Sequence, residues 1–304
     1  MSKTKNQIIN EVIDATIARL TPADTPENIS EEATQDIEAL IVLENTSRGK
    51  KYGLRVLEVL PNSVIAQFMA AMFPIRCIAC AGLETDPKFD LLCLYQEDGP
   101  DAGTYMESEN ELYKLAIRYN VQLTQNGFKE ICRRLRGIVP RVARTMDPDL
   151  IAVNNGIFNF RTKELLPFSP DYVFLAKSHV NYDPDAVNVT IHNSTDDTDW
   201  DVESWVESLS DDPEIVELLW QIMGAIVRPF VPWNKSAWFY SEEGNNGKGT
   251  LCALMKQLCG ETAVATIPIS DFGKDFMLEP LTRATAIIVD ENDVGTFIDK
   301  AANL

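Results

Sequence analysis

The sequence predicts an α/β fold in its C-terminal third, built around a loop that binds phosphate. Three observations lead to this prediction: a short apolar stretch at 236–241, a glycine-rich turn that ends in Gly247-Lys248, and an amphipathic stretch at 251–258. A strand, a turn and a helix in this order bring backbone N–H groups and the positive end of a helix dipole to one point. Such an arrangement favours a phosphate ligand.

The turn also supplies the residue types that a nucleoside triphosphate requires. Its residues are Glu243, Gly244, Asn245, Asn246, Gly247, Lys248, Gly249 and Thr250. Lys248 would contact the β- and γ-phosphates, and the hydroxyl group of Thr250 would bind Mg²⁺. Two positions depart from the usual spacing, because Glu242 replaces a glycine and Gly249 replaces the hydroxyl residue directly after the lysine. An ordinary glycine turn between a strand and a helix is the alternative interpretation.

A second segment supports the first. Residues 284–289 are apolar and rich in β-branched side chains, which is typical of a buried parallel strand, and Asp290 and Glu291 follow directly. Ligands of open α/β sheets bind at the carboxyl ends of the strands. We therefore expect Asp290 to hold Mg²⁺ through water and Glu291 to polarise the attacking water. The alternative is a core strand that ends in a solvated acidic loop.

Composition limits the classes of function. The chain has 304 residues, a net charge of −19 and 45% hydrophobic residues, which is enough for two or three domains. No apolar run approaches the roughly 20 residues that cross a bilayer. The first residues do not form a signal peptide, so we expect a cytoplasmic protein without a membrane partner. The net charge argues against nucleic acid wrapped over the whole surface, so any DNA would be bound locally.

Histidine and cysteine usage argues against zinc and against histidine-based catalysis. His179 and His192 have no ligand-like partner in the sequence, and Cys77-x-x-Cys80 lacks a second pair at zinc-finger spacing. We interpret both cysteines as reduced packing residues.

One stretch, residues 129–144, is strongly basic. It contains one acid, Glu130, and six basic residues: Lys129, Arg133, Arg134, Arg136, Arg141 and Arg144. The arginines are candidates for contacts with the phosphate backbone of DNA. A solvated helix face or intersubunit salt bridges would have the same composition.

Periodicity and turn signals predict the other elements. Helical spacing predicts helices over 7–20 and 30–43, two pieces within 109–136 that separate near 126–127, and a helix from Pro213 to before Pro229. Alternation and turn residues predict strands over 75–81 and 91–95 and a β-hairpin or meander over 149–170. The segment 183–217 contains acids but neither Lys nor Arg, and we predict a linker at 185–200.

Together these motifs resemble the superfamily 3 helicases of phage and plasmid primase–helicase proteins and their viral relatives. The resemblance rests on residues 243–250, 287–293 and 151–174, and it covers roughly residues 100–304. It implies an incomplete P-loop NTPase core, AAA+-like, behind an α+β accessory domain, with ATP and Mg²⁺ as cofactors. The expected domains are an N-terminal α+β region of unknown role (1–100), the accessory domain (101–200) and the first part of the ATPase domain (201–304).

The resemblance also implies a function, that of a DNA-dependent ATPase and helicase in the replication of a phage or mobile element inside a bacterial host. Lys248, Asp290 and Glu291 would be its catalytic residues. Such proteins form rings, commonly hexamers, on single-stranded or forked DNA and associate with primase or other replication proteins. The family's DNA-contacting hairpin, sensor residue and arginine finger would follow residue 304, so we expect an incomplete chain that hydrolyses ATP poorly.

Two alternatives remain from the sequence. One is a non-catalytic fragment that binds replication partners. The other is a P-loop nucleotide kinase, although such kinases usually have the loop near the N-terminus.

Overall fold

The computed structural model describes residues 2–48, 53–241, 244, 246–274 and 277–290. Its contacts divide the chain into two units. The first comprises Met1–Tyr95 and Tyr105–Arg144, and the second comprises Gln96–Thr104 and Thr145–Leu304. These units do not follow the expected boundaries at 100 and 200, because the segment 96–104 contacts later parts of the chain. The division into functional domains stays a prediction.

Charge differs sharply between the units. The first unit contains 17 basic and 17 acidic residues, so 10 of the 27 Lys and Arg residues and 29 of the 46 Asp and Glu residues belong to the second. The whole net charge of −19 therefore belongs to the second unit, and the first is neutral. The electrostatic argument against nucleic-acid binding applies to the second unit alone.

The first unit contains five helices in its described residues: α1 (Lys5–Arg19), α2 (Pro26–Thr46), α3 (Asn62–Met72), α4 (Glu109–Tyr119) and α5 (Gln125–Ile138). The start of α2 differs from the prediction. Thr25 accepts a hydrogen bond from the N–H of Asn28 and Pro26 is the first helical residue, which together form a stronger start signal than Ser30. The Ser30 hydroxyl instead donates to the carbonyl of Tyr119.

The break between α4 and α5 also lies earlier than predicted. It covers residues 120–124, and Gly127 belongs to the first turn of α5, where its N–H donates to the Thr124 hydroxyl. A capped helix start tolerates glycine, because the side chain of the cap residue binds the free backbone donor.

The sheet of the first unit has four strands in the order β3-β2-β1-β4. They are β1 (Ile75–Ala79), β2 (Leu91–Tyr95), β3 (Tyr105–Met106) and β4 (Arg141–Ala143). Strand β4 is parallel to β1, and the other pairs are antiparallel. The predicted strands near 75–81 and 91–95 are confirmed. Buried residues from the helices, such as Phe68 and Ile131, form one core with Ile75 of the sheet.

The second unit begins with the predicted meander. Strands β5 (Leu150–Val153), β6 (Gly156–Asn159) and β7 (Glu164–Leu166) pair antiparallel in sequence order around a core of Ala152, Ile157 and Phe174. The predicted linker contains a short antiparallel hairpin, formed by β8 (Ile191–Asn193) and β9 (Thr198–Trp200).

Three helices and one strand pair follow in the described part of the second unit: α6 (Val202–Glu207), α7 (Pro213–Ile226), α8 (Lys248–Cys259), β10 (Val264–Ala265) and β11 (Ala286–Ile287). Strands β10 and β11 are parallel. Leu219 and Met223 of α7 pack with Leu251 and Met255 of α8 and with Ile288 just after β11. The P-loop NTPase class stays a prediction, since a two-stranded pair with helices does not define that fold.

The strand predicted before the phosphate loop is not formed. Residues 236–241 have no regular secondary structure. Phe239 packs against the α7–α8 core while Trp238 and Tyr240 are exposed, which is the alternation of a strand. A strand also needs a hydrogen-bonded neighbour, and the sheets of the described residues do not include this segment. Within the same residues, no helix is both long enough and apolar enough to span a membrane.

Candidate nucleotide site at the start of α8

Helix α8 begins at the predicted phosphate loop. Gly247 is the residue before the helix and has a φ of 83°, in the left-handed region that favours glycine. A Cβ atom at Gly247 would lie 2.6 Å from Cδ2 of Leu209, which follows α6. The backbone angle requires glycine here, and the Leu209 side chain would have to move to admit a Cβ atom.

The first turn of α8 offers donors for an anion. The N–H of Leu251 donates to the carbonyl of Gly247, so the N–H groups of Lys248, Gly249 and Thr250 precede the intrahelical ladder. The Lys248 ammonium group donates to Oδ1 of Asn246 at 2.8 Å. Backbone donors, a lysine and the positive end of a helix dipole therefore share one end of α8.

Asp290 lies against this end of the helix. A Cβ atom built at Gly249 would be 3.6 and 3.7 Å from the two carboxylate oxygens of Asp290. The N–H of Ile288 donates to the carbonyl of Ala265, which holds the backbone just before Asp290 beside β10. The structure thus brings Lys248 and Asp290 to the same helix terminus, 42 positions apart in the sequence.

The electrostatic environment of α8 also reflects Asp290. Burial raises the pKa of the Cys252 thiol, and the negative charge of Asp290 raises it further. Cys252 is buried in the core between α7 and α8, and it is a free cysteine. This environment disfavours the thiolate, so Cys252 serves as a packing residue.

The structure describes only some of the remaining predicted residues of the site. Thr250 is exposed on the first turn of α8, and Gly244 is exposed in the preceding bend. Glu243, Asn245 and Glu291 lie outside the described residues.

The C-terminal end of α8 is fixed by a segment that the sequence analysis did not single out. The Ser178 hydroxyl donates to the carbonyl of Leu258, and Gly260, with a φ of 92°, would place a Cβ 2.9 Å from the carbonyl of Lys177. Lys177 is buried and donates to the carbonyl of Ala102 at 2.8 Å, and burial lowers the pKa of its ammonium group. An isolated Lys-Ser pair after the meander has no periodicity that could have predicted this role.

The basic stretch is divided between structural and exposed residues. Arg141 donates to both carboxylate oxygens of the buried Asp90, at 2.6 and 3.1 Å, and to the carbonyls of Leu83 and Thr85. These contacts tie β4 to the loop before β2, so Arg141 has a structural role.

The other predicted arginines lie on or near α5. Arg136 donates to the carbonyl of Asp90, Arg134 pairs with Glu130 at 2.7 Å, and Arg144 is half-buried. Four basic residues of α5 are exposed, namely Lys129, Arg133, Arg134 and Arg136, and Lys129 and Arg133 lie one helical turn apart. DNA binding by this stretch stays a prediction.

Comparison with known protein families shows that one family matches part of the chain. Residues 112–221 match the D5 N terminal like family, which is the N-terminal domain of phage and plasmid primase–helicase D5-like proteins. The match begins in α4, ends in α7 and lies before the predicted phosphate loop. A search of curated proteins finds no match. The comparison therefore relates residues 112–221, about a third of the chain, to the N-terminal domain of the D5-like proteins.

Proposed function

We propose that this chain binds ATP and Mg²⁺ at the start of α8 and acts in phage or mobile-element DNA replication as an ATPase and helicase component. One observation carries the proposal: the carboxylate of Asp290 faces Gly249 at the helix terminus that also presents Lys248. The family match of residues 112–221 supports the context of DNA replication.

The residues at this terminus fit a magnesium-bound triphosphate. The N–H groups of the first turn and Lys248 would bind phosphate oxygens, while Asp290 and the Thr250 hydroxyl are oxygen ligands of the kind that Mg²⁺ prefers. Glycine at 249 leaves free the space between helix and carboxylate that a side chain would occupy. The metal, when bound, neutralises negative charge on the phosphates. We assign to Glu291 the orientation of the attacking water.

Titration with a fluorescent ATP analogue, with and without Mg²⁺, tests the nucleotide site. Lys248→Ala should weaken binding about tenfold or more under both conditions, because it removes the phosphate cation. Asp290→Asn should remove the enhancement by Mg²⁺ and leave metal-free binding nearly unchanged. Lys256→Ala is the matched control, since it removes a lysine from the opposite end of the same helix and should bind as the wild type does.

Equal affinity of the wild type and Lys248→Ala would contradict the nucleotide site. A folded wild type that binds no nucleotide would favour the non-catalytic, partner-binding alternative. Phosphate release measured with and without single-stranded DNA tests whether ATP hydrolysis depends on DNA, as it does in a helicase. Phosphoryl transfer to AMP would instead indicate a nucleotide kinase.

A further inference from the structure

A group of aromatic and basic side chains surrounds the turn between β6 and β7, away from the residues assigned to nucleotide. We call this group the β6–β7 patch; it comprises Phe158, Phe160, Arg161, Lys163, Tyr182 and Arg228. Three of the second unit's 10 basic residues therefore meet in a unit that contains 29 acids. This local concentration of positive charge contrasts with the negative net charge of the second unit.

The aromatic part of the patch is ordered and partly accessible. The rings of Phe158 and Tyr182 stack with centroids 4.1 Å apart. Phe160 is 38% exposed, with the Lys163 ammonium group 3.6 Å and the Arg228 guanidinium 3.8 Å from its ring centroid. Cation–aromatic contacts at these distances hold the charged groups beside the rings.

The basic residues of the patch differ in what the fold needs from them. The side chain of Arg228 is only 16% exposed and pairs with Asp149 at 3.1 Å, so it stabilises the meander. The side chain of Arg161 is 75% exposed and reaches the same carboxylate at 3.4 Å, where an exposed pair contributes little to stability. Arg161 can therefore exchange Asp149 for another anion at small cost.

Lys163 is the third basic residue, and its backbone conformation is unfavourable for lysine. Its φ is 62°, in the left-handed region, and its N–H donates to the carbonyl of Asn159 to close the turn. Glycine or asparagine is the usual residue at such a position, and other side chains cost roughly 1 kcal/mol. Local strain of this kind is found disproportionately at functional sites.

We propose that the β6–β7 patch binds single-stranded nucleic acid. Arg161 and Lys163 would contact backbone phosphates. A Lys163 side chain that turns to a phosphate would uncover one face of the Phe160 ring, so that an unpaired base would stack there or on the Arg161 guanidinium. A single strand fits better than a duplex, because paired bases do not expose their faces. Aromatic rings beside the cations favour nucleic acid over an acidic peptide, which would need the charges alone.

The test measures fluorescence anisotropy of a labelled oligodeoxythymidylate with the full chain, in the absence of ATP, over a range of salt concentrations. Lys163→Gly should bind roughly fivefold more weakly and lower the salt dependence by about one phosphate contact. Thermal stability should stay equal or rise, because glycine suits the left-handed position. Arg161→Glu should weaken binding further, and the fluorescent ATP analogue should bind both variants as it binds the wild type.

Lys274→Ala is the control, since it removes an exposed lysine from the same unit. The proposal is overturned if Lys163→Gly binds the oligonucleotide as the wild type does, or if Lys274→Ala weakens binding equally. Competition by polyglutamate as strong as that by unlabelled oligonucleotide would also overturn it, in favour of an acidic protein partner. Equal affinity for duplex and single-stranded DNA would contradict the proposal that unpaired bases stack on the patch.

Discussion

Replacing Gly249 with alanine should lower nucleotide affinity without destabilising the protein. Gly249 is the second residue of α8, where alanine is the better helix former by up to about 1 kcal/mol. Its added methyl group would lie at ordinary contact distance, 3.6 Å, from the Asp290 carboxylate, so the folded chain accommodates it. The same methyl group occupies the gap between the helix terminus and the carboxylate. The methyl group would therefore crowd Mg²⁺ or a phosphate oxygen placed beside the Asp290 carboxylate, and we expect about tenfold weaker binding.

Two measurements separate these effects. Thermal unfolding should give Gly249→Ala an unchanged or higher Tm, and titration with the fluorescent ATP analogue should show the loss of affinity. Gly247→Ala is the comparison, since its φ of 83° alone costs roughly 1–2 kcal/mol for alanine and its methyl group would overlap Leu209. It should lower the Tm by several degrees, at about 2–4 °C per kcal/mol. Wild-type affinity in Gly249→Ala would refute the assignment of phosphate and Mg²⁺ to the space beside Asp290.

Three other perturbations test the first unit and the far end of α8. Arg141→Met should lower the Tm, because it leaves the buried Asp90 carboxylate without its partner. Arg133→Met should leave the Tm unchanged and weaken any binding of DNA by α5. The opposite pattern would contradict the structural role of Arg141. The hydrogen bond from Arg118 lowers the pKa of Glu27 from 4.5 to about 2, so the pair stabilises the fold above pH 4.5 and this contribution declines as the pH falls towards 2. Glu27→Gln should therefore have a slightly lower Tm than the wild type at neutral pH, and the difference should shrink below pH 4.5 and vanish only below about pH 2. Ser178→Ala removes the hydrogen bond to the end of α8 and should cost about 0.5–1.5 kcal/mol in urea unfolding, while equal stability would show that the contact contributes nothing.

Elements with strong local signals could be predicted from the sequence. The helix from Pro213 has an acidic N-cap, Asp212, and a clear apolar face, and α7 runs from Pro213 to Ile226. The meander at 150–166 follows from its turn residues and alternation, and the structure confirms it. In such segments the local preference and the tertiary environment agree.

Elements that depend on a distant partner could not be predicted in the same way. The alternation at 238–240 suggested a strand, but strand formation requires a neighbour that the local pattern does not specify. The pairing of Arg141 with Asp90 joins residues 51 positions apart, so composition alone placed this arginine among DNA-binding candidates. The β6–β7 patch was missed because Arg228 reaches the meander from the end of α7.

Helix α8 is held at both ends, by Leu209 against Gly247 and by the 177–178 segment against Gly260. A helix held in this way cannot slide along its axis without disturbing one of the two contacts. A displacement of its first turn would therefore disturb the contact with Lys177 and, because the Ser178 N–H donates to the carbonyl of Ala152, also strand β5. Helix α8 therefore connects the residues proposed to bind phosphate with the β-meander through its own backbone.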